Sequence, residues 1–77
     1  MEKSAHRDDY KRLIEVLTQM RNAAGITQQE LANKLKKPQS FVAKYEGRER
    51  RLDIVEFIDI TKQIGADYKE VLEKAGF

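Results

Sequence analysis

An all-α fold of five short helices is what this sequence predicts. Apolar residues recur three and four positions apart along several segments, and no segment shows the alternation of apolar and polar residues that marks a β-strand. Glycine and proline fall between these segments, where they commonly end helices. The length of 77 residues gives material for a single core. We therefore expect one compact domain over residues 8–77, preceded by a polar arm, residues 1–7, that is free to be disordered.

The first two helices are marked by apolar spacing and by a capping signal. One face of the first helix is predicted to carry Tyr10, Leu13, Ile14, Leu17 and Ala24. Gly25 then offers the left-handed conformation that commonly ends a helix. Thr27 and Glu30 have the spacing of a capping box, which opens a second helix with Ile26 and Leu31 as its hydrophobic staple. That helix is expected to end near residue 36, because the proline at 38 disfavours helical geometry in the residue before it.

Three more helices follow. Pro38 suits the first turn of a third helix, which Gly47 closes. Two further capping boxes, over residues 53–56 and 67–70, open a fourth and a fifth helix, and Gly65 separates them. The fifth helix is expected to continue to about Ala75.

Several function classes are excluded by composition. The chain has no cysteine, so disulfides, thiolate metal sites and cysteine nucleophiles are ruled out. His6 is the one histidine and has no second metal ligand beside it, while Asp8 and Asp9 stand where they would favour the start of a helix. Phosphate-binding glycine motifs are missing, and no apolar run approaches the roughly 20 residues that span a bilayer. We expect no enzyme activity, metal or cofactor, no membrane association and a cytoplasmic location.

Charge is distributed unevenly along the chain. Residues 34–51 carry seven basic and two acidic residues, a net charge of +5, whereas residues 52–77 carry three basic and six acidic residues, a net charge of −3. A local patch of one sign attracts a polyanion even when the whole chain is nearly neutral. The middle of the chain is therefore a candidate nucleic-acid contact, with a solvated basic loop as the alternative.

The second and third helices have the arrangement of a helix-turn-helix, two short helices joined by three or four residues. Ala32 is small enough to let the helices cross closely. With Val42 and Tyr45 directed inward, helical spacing predicts an outward stripe on the third helix. This stripe consists of Gln39, Ser40, Ala43 and Lys44.

At these residues the chain resembles the Cro/C1-type helix-turn-helix family, also called the xenobiotic-response-element (XRE) family. The resemblance covers about residues 10–74, and the matching segments are residues 25–32, 39–42 and 45–48, with Arg50 and Arg51 following. It implies a lambda-repressor-like DNA-binding domain. The function it implies is a sequence-specific regulator of transcription, with repression as the expected output, whose third helix enters the major groove.

The resemblance also implies roles for individual residues. Base contacts are implied for Gln39, Ser40, Ala43 and Lys44. Phosphate contacts are implied for Gln28, Gly47, Arg48, Arg50 and Arg51, and Lys37 is added to them, although solvated lysines explain it equally well. Gln28 is expected to support Gln39, an amide that can form two hydrogen bonds with adenine. One arginine of the loop is expected to be structural, through a tie from Glu46 to Arg50 or Arg51.

Two departures from the family pattern fall in the turn. Lys36 stands where the family often has a glycine that accepts a left-handed conformation, and Pro38 stands where it often has an N-cap hydroxyl. Among the aromatic residues, Tyr45 is expected in the core. Phe41 lies at the margin of the stripe, where burial and contact with a sugar or a thymine methyl are both open.

More apolar residues lie in the last two helices than one small core needs. They predict a homodimer surface made of Phe57, Ile60, Ile64, Tyr68, Val71, Leu72 and Phe77. A two-fold dimer would place two third helices roughly 34 Å apart on a palindromic site in double-stranded DNA. The alternative function is a protein-interaction module of antitoxin or adaptor type, which would use the same apolar helices for a partner such as a toxin or polymerase.

Overall fold

Five α-helices and no strand make up residues 7–77, the part of the chain that the computed structural model describes. In chain order they are α1 (Asp8–Ala23), α2 (Gln28–Leu35), α3 (Gln39–Glu46), α4 (Ile54–Gln63) and α5 (Tyr68–Lys74). The predicted fold class is confirmed. Asp8 and Asp9 lie in the first turn of α1, where acidic side chains favour the start of a helix. No helix in the described range is long and apolar enough to cross a membrane. His6 and the rest of the predicted arm, except Arg7, lie outside the described residues.

Local hydrogen bonds explain most of the helix ends. Two of the three predicted capping boxes are formed, over residues 27–30 and 53–56. The third prediction is wrong, because the Asp67 carboxylate accepts from the Lys69 N–H at 2.9 Å and acts as a simple N-cap. Gly25 adopts the left-handed conformation that was predicted, with φ of 74°.

In the turn between α2 and α3, a lysine occupies a position where glycine would have less steric strain. Lys36 ends α2 with φ of 59° and ψ of 42°, a left-handed conformation that is costly for a residue with a Cβ atom. Pro38 is the N-cap of α3 rather than a residue of its first turn, since its ψ of 154° is extended, and its carbonyl accepts from the Phe41 N–H at 2.9 Å. The turn therefore keeps helix-turn-helix geometry despite both departures from the family pattern.

The core lies where α2 and α3 pack on each other and on α1 and α4, with α5 closing the side formed by α1 and α4. It consists of Ile14, Leu17, Leu31, Ala32, Phe41, Val42, Tyr45, Phe57, Ile60, Ile64 and Val71. Ala32 is fully buried, as its position between two crossing helices predicts. Ala24 was wrongly placed on the buried face of α1, since it is exposed at the C-cap of that helix.

Both aromatic side chains of α3 belong to this core. Tyr45 is fully buried, which confirms the prediction, and Phe41 is buried with its ring centroid 5.8 Å from that of Tyr45. Burial raises the pKa of the Tyr45 hydroxyl, which has no hydrogen-bond partner within residues 7–77. Tyr45 therefore contributes to the core through its ring. Because Phe41 is buried as well, its side chain is not free to lie against DNA.

The predicted homodimer surface needs correction, because most of it is interior. Four of its members are buried against the chain's own helices, namely Phe57, Ile60, Ile64 and Val71. Leu72 is half-buried, while Tyr68 and Phe77 are exposed. The exposed apolar residues that the prediction missed are Ile54 and Val55, at 65% and 63% exposure, in the first turn of α4.

We expect Lys36→Gly to stabilise the fold by about 0.5–1 kcal/mol, because glycine adopts the left-handed conformation without the steric cost of a Cβ atom. The same replacement at Lys34, in the last turn of α2, should destabilise the fold by about 1 kcal/mol, the cost of glycine within a helix. Urea unfolding of the two variants would show midpoints that move in opposite directions. A lower midpoint for Lys36→Gly would contradict the left-handed turn.

Candidate nucleic-acid interface

The outward face of α3 is mostly polar because its large apolar residues, Phe41, Val42 and Tyr45, turn inward. Gln39, Ser40 and Lys44 are exposed and Ala43 is half-buried, on the side of the helix opposite the buried Val42 and Tyr45. A helix of only eight residues exposed in this way has the dimensions to lie in a major groove, which admits one α-helix. The structure thus brings the four residues predicted to contact bases onto one surface.

The first residues of α2 and α3 are joined by their side chains. Gln39 Nε2 donates to Gln28 Oε1 at 2.8 Å, so the contact expected between these two amides is present. Gln28 also lies at the amino end of α2, where backbone N–H groups and the helix dipole favour an anion such as phosphate. One amide pair therefore links a candidate phosphate position to a candidate base position.

Beneath this pair lies a buried ion pair that the sequence analysis missed. Arg21 of α1 donates to the Glu46 carboxylate twice, from Nε at 2.6 Å and from Nη2 at 2.9 Å, and its Nη1 donates to the Ile26 carbonyl at 2.7 Å. Only 8% of the Arg21 side chain and 7% of the Glu46 side chain are exposed. The hydrogen bonds to Glu46 raise the pKa of Arg21, which stays charged.

The predicted tie from Glu46 to Arg50 or Arg51 is therefore wrong, since Glu46 pairs with Arg21 on another helix. A signal for this partner was present in the sequence. Arg21 follows Leu17 by four positions and Ile14 by seven, so it stands on the apolar face of α1, where a charge requires a buried partner.

Arg50 is the structural arginine of the loop after α3. Its two terminal nitrogens form a bidentate pair with Glu56 at 2.9 and 2.8 Å, and one of them also donates to the Arg51 carbonyl. The guanidinium lies 4.9 Å from the centroid of the Phe41 ring, a cation–π distance. With these donors in use, Arg50 is poorly placed for the phosphate contact that was predicted for it.

Gly47 does not offer a free amide to phosphate, contrary to the prediction. Its N–H donates to the Ala43 carbonyl at 2.9 Å as part of the end of α3. A Cβ atom there would lie 3.1 Å from the same carbonyl oxygen, which is a structural reason for glycine at this position. The left-handed conformation falls one residue later, at Arg48 with φ of 60°.

The basic side chains available to bind a polyanion lie on both sides of α3 in the sequence. Among residues 7–77, Arg48 and Arg51 form no ion pair with a carboxylate, and Arg51 is exposed. Lys37 is exposed with Nζ 5.5 Å from the centroid of the Phe41 ring. Amide donors and unpaired positive charges near an exposed polar helix suit a polyanion better than a neutral ligand.

Comparisons with known proteins agree with this geometry. Residues 17–71 match a family described as helix-turn-helix. Among solved structures, the chain is similar to an XRE-family like protein from Pseudomonas syringae pv. tomato str. DC3000, with 51% sequence identity and a TM-score of 0.83. That similarity covers 87% of this chain and 82% of the Pseudomonas chain. No curated protein matches the chain.

The pair between Arg50 and Glu56 predicts an acid-sensitive part of the stability. Arg50 holds the pKa of Glu56 below its usual value. The pair therefore contributes fully above the ordinary glutamate pKa of about 4.3, and this contribution is lost as the pH falls through the lowered pKa. Glu56→Gln keeps a side chain that suits the capping box but removes the charge.

We expect Glu56→Gln to melt at a lower temperature than the wild type near pH 7 and to approach it as the pH falls through the lowered pKa of Glu56, where the wild-type carboxylate becomes protonated. Thermal unfolding followed by circular dichroism across this range measures the difference. A difference that stays constant with pH would contradict the role of this ion pair.

Proposed function

The chain belongs to the Cro/C1-type helix-turn-helix family and is a DNA-binding regulator of that type, and from this we propose that it reads a specific duplex sequence through α3. The observation that carries the proposal is the exposed stripe of Gln39, Ser40 and Lys44, which begins beside Gln28 at the amino end of α2. In this arrangement α3 lies in the major groove and α2 crosses the phosphate backbone.

The contacts divide into those that select a sequence and those that position the protein. We assign base contacts to Gln39, Ser40 and Lys44, and a methyl contact to the half-buried Ala43. The residues assigned to phosphates are Gln28, Lys37, Arg48 and Arg51. Arg50 and Gly47 are left out, because their hydrogen bonds are used inside the domain.

The working form in this proposal is a homodimer on a palindromic operator, and the exposed apolar residues near the start of α4 support it. Ile54 lines a groove of about 200 Å³ together with Tyr10, Leu13, Leu52 and Leu72, among others. Ile54 and Val55 are both more than half exposed, and covering them would remove apolar surface from water. Tyr68, Leu72 and Phe77 stay in the proposed surface, whereas the four buried members do not.

Repression is the regulatory output that we propose, because a dimer seated on an operator excludes polymerase from the same DNA. The exposed apolar surface also keeps an antitoxin-like or adaptor role as the second candidate. Selection of bound sequences from random duplex DNA, followed by anisotropy titration at two salt concentrations, tests the first function. An enriched palindrome supports a dimeric sequence-specific regulator, and the absence of any enriched sequence would favour the second candidate.

We expect Gln39→Ala to weaken binding to the selected site by about 1–3 kcal/mol and to relax the preference at one base pair, because it removes a base contact. Arg48→Gly should weaken binding to selected and random duplexes alike and reduce the salt dependence, because it removes a phosphate contact. Arg48 is replaced by glycine rather than alanine, because the backbone at residue 48 is left-handed and glycine adopts this conformation without strain.

Fluorescence anisotropy on both duplexes at two salt concentrations separates these effects. Lys62→Ala, an exposed lysine in the last turn of α4, is the control and should leave both affinities unchanged. Equal losses on selected and random DNA for Gln39→Ala would remove that residue from base reading.

We expect Ile54→Glu to raise the dimer dissociation constant about tenfold or more, because it places a charge in the proposed apolar contact. The fold should tolerate the change, since Ile54 is exposed and an acidic side chain in the first turn of a helix is favourable. Gln63→Glu, at the other end of α4, is the matched control. Sedimentation equilibrium of both variants measures the change, and an unaltered dimer in Ile54→Glu would exclude this surface.

A further inference from the structure

We propose that the buried ion pair of Arg21 and Glu46 determines base specificity, by fixing through Gln28 the direction in which the Gln39 amide points. The base that this direction selects is adenine. The inference rests on the proposed function, and it makes Glu46 a positioning residue that acts at a distance from the DNA.

The first step is the orientation of Gln28. Its Nε2 lies 2.9 Å from Glu46 Oε1, and Arg21 donates to both oxygens of the same carboxylate. An ionised carboxylate accepts hydrogen bonds and cannot donate them. The nitrogen of the Gln28 amide must therefore face Glu46, and its oxygen must face away.

The second step passes this orientation to Gln39. The Gln28 oxygen lies 2.8 Å from Gln39 Nε2. Since a carbonyl oxygen can only accept, the nitrogen of the Gln39 amide must face Gln28. Gln39 is exposed, and it keeps one N–H and its whole carbonyl oxygen for the major groove.

This remaining pair of one donor and one acceptor matches adenine. In the major groove adenine presents the N7 acceptor and the N6 amino donor side by side, whereas guanine presents two acceptors, N7 and O6. A Gln39 amide turned the other way would accept from Gln28 and keep two N–H donors, which suit guanine. The direction of the two hydrogen bonds is therefore what distinguishes the two purines.

Burial makes Glu46 able to hold this direction. The side chains of Arg21 and Glu46 are each less than one-tenth exposed, and Arg21 is held further by the Ile26 carbonyl. A carboxylate fixed in this way cannot rotate to follow Gln28. Without it, the two amides could exchange donor and acceptor with little change in their mutual hydrogen bond.

The test uses variants that remove the acceptor without leaving a buried charge unpaired. The double variant Arg21→Met with Glu46→Met replaces the ion pair by apolar side chains, a change that folded proteins often tolerate. Gln28→Leu breaks the middle link, and Gln29→Leu, its exposed neighbour on α2, is the matched control. The probes are the selected duplex and the same duplex with guanine in place of the adenine at the pair identified by Gln39→Ala.

We expect the wild type and Gln29→Leu to prefer the adenine duplex about tenfold or more. The methionine double variant and Gln28→Leu should lose this preference to within about twofold, while both remain folded by circular dichroism. A folded methionine variant that keeps the wild-type preference would overturn the inference and leave the ion pair a purely structural role. A wild type that prefers no sequence would instead overturn the proposed function.

A measurement on the free wild-type protein tests the link to Glu46 without any variant or DNA. In ¹⁵N–¹H spectra, one side-chain amide proton of Gln28 and one of Gln39 should be shifted and protected from exchange by their hydrogen bonds. A Gln28 amide that exchanges as rapidly as that of an exposed glutamine would overturn the inference even if sequence-specific binding is found.

Discussion

The buried hydrogen-bonded pair of Arg21 and Glu46 is the interaction on which the rest of this domain depends. It joins the last turn of α1 to the end of α3, and through the Ile26 carbonyl it also holds the chain between α1 and α2. Removing one member alone would leave a charge in the core, which costs about 3–5 kcal/mol. Since Gln28 bonds to the same carboxylate, the internal packing of the domain and the arrangement of its proposed DNA surface share one group.

Local features were predictable from sequence, and long-range partners were not. Two local features were predicted correctly, the capping box of Thr27 with Glu30 and the left-handed conformation of Gly25. Each depends only on residues close by in the sequence. The partner of Glu46 lies 25 positions away on another helix, beyond the range of spacing rules. The pair of Arg50 and Glu56 was missed for a different reason, since its members are only six positions apart but Glu56 already had a predicted role in a capping box.

The apolar helices at the carboxyl end show why counting residues did not identify a surface. Amphipathic spacing states that a helix has an apolar face but not how many neighbours cover that face. α4 packs on α2 as well as on α5, so Phe57 and Ile60 serve the core. The exposed pair, Ile54 and Val55, comes from the first turn, before the helix meets its neighbours.

The shortness of α2 and α3 makes them depend on the rest of the fold, and this dependence affects how well the protein resists proteolysis. Each has eight residues, and isolated helices shorter than about 12–15 residues are marginal in water. α3, the helix proposed to read DNA, therefore forms only while the core around Tyr45 is assembled, so DNA that binds through α3 binds the folded chain. Free DNA at a concentration of 100 times its dissociation constant would add about 2.7 kcal/mol to the unfolding free energy. Because proteases cut mainly opened chains, the proposed binding to DNA would slow cleavage, so occupancy of the DNA site and resistance to proteolysis are coupled.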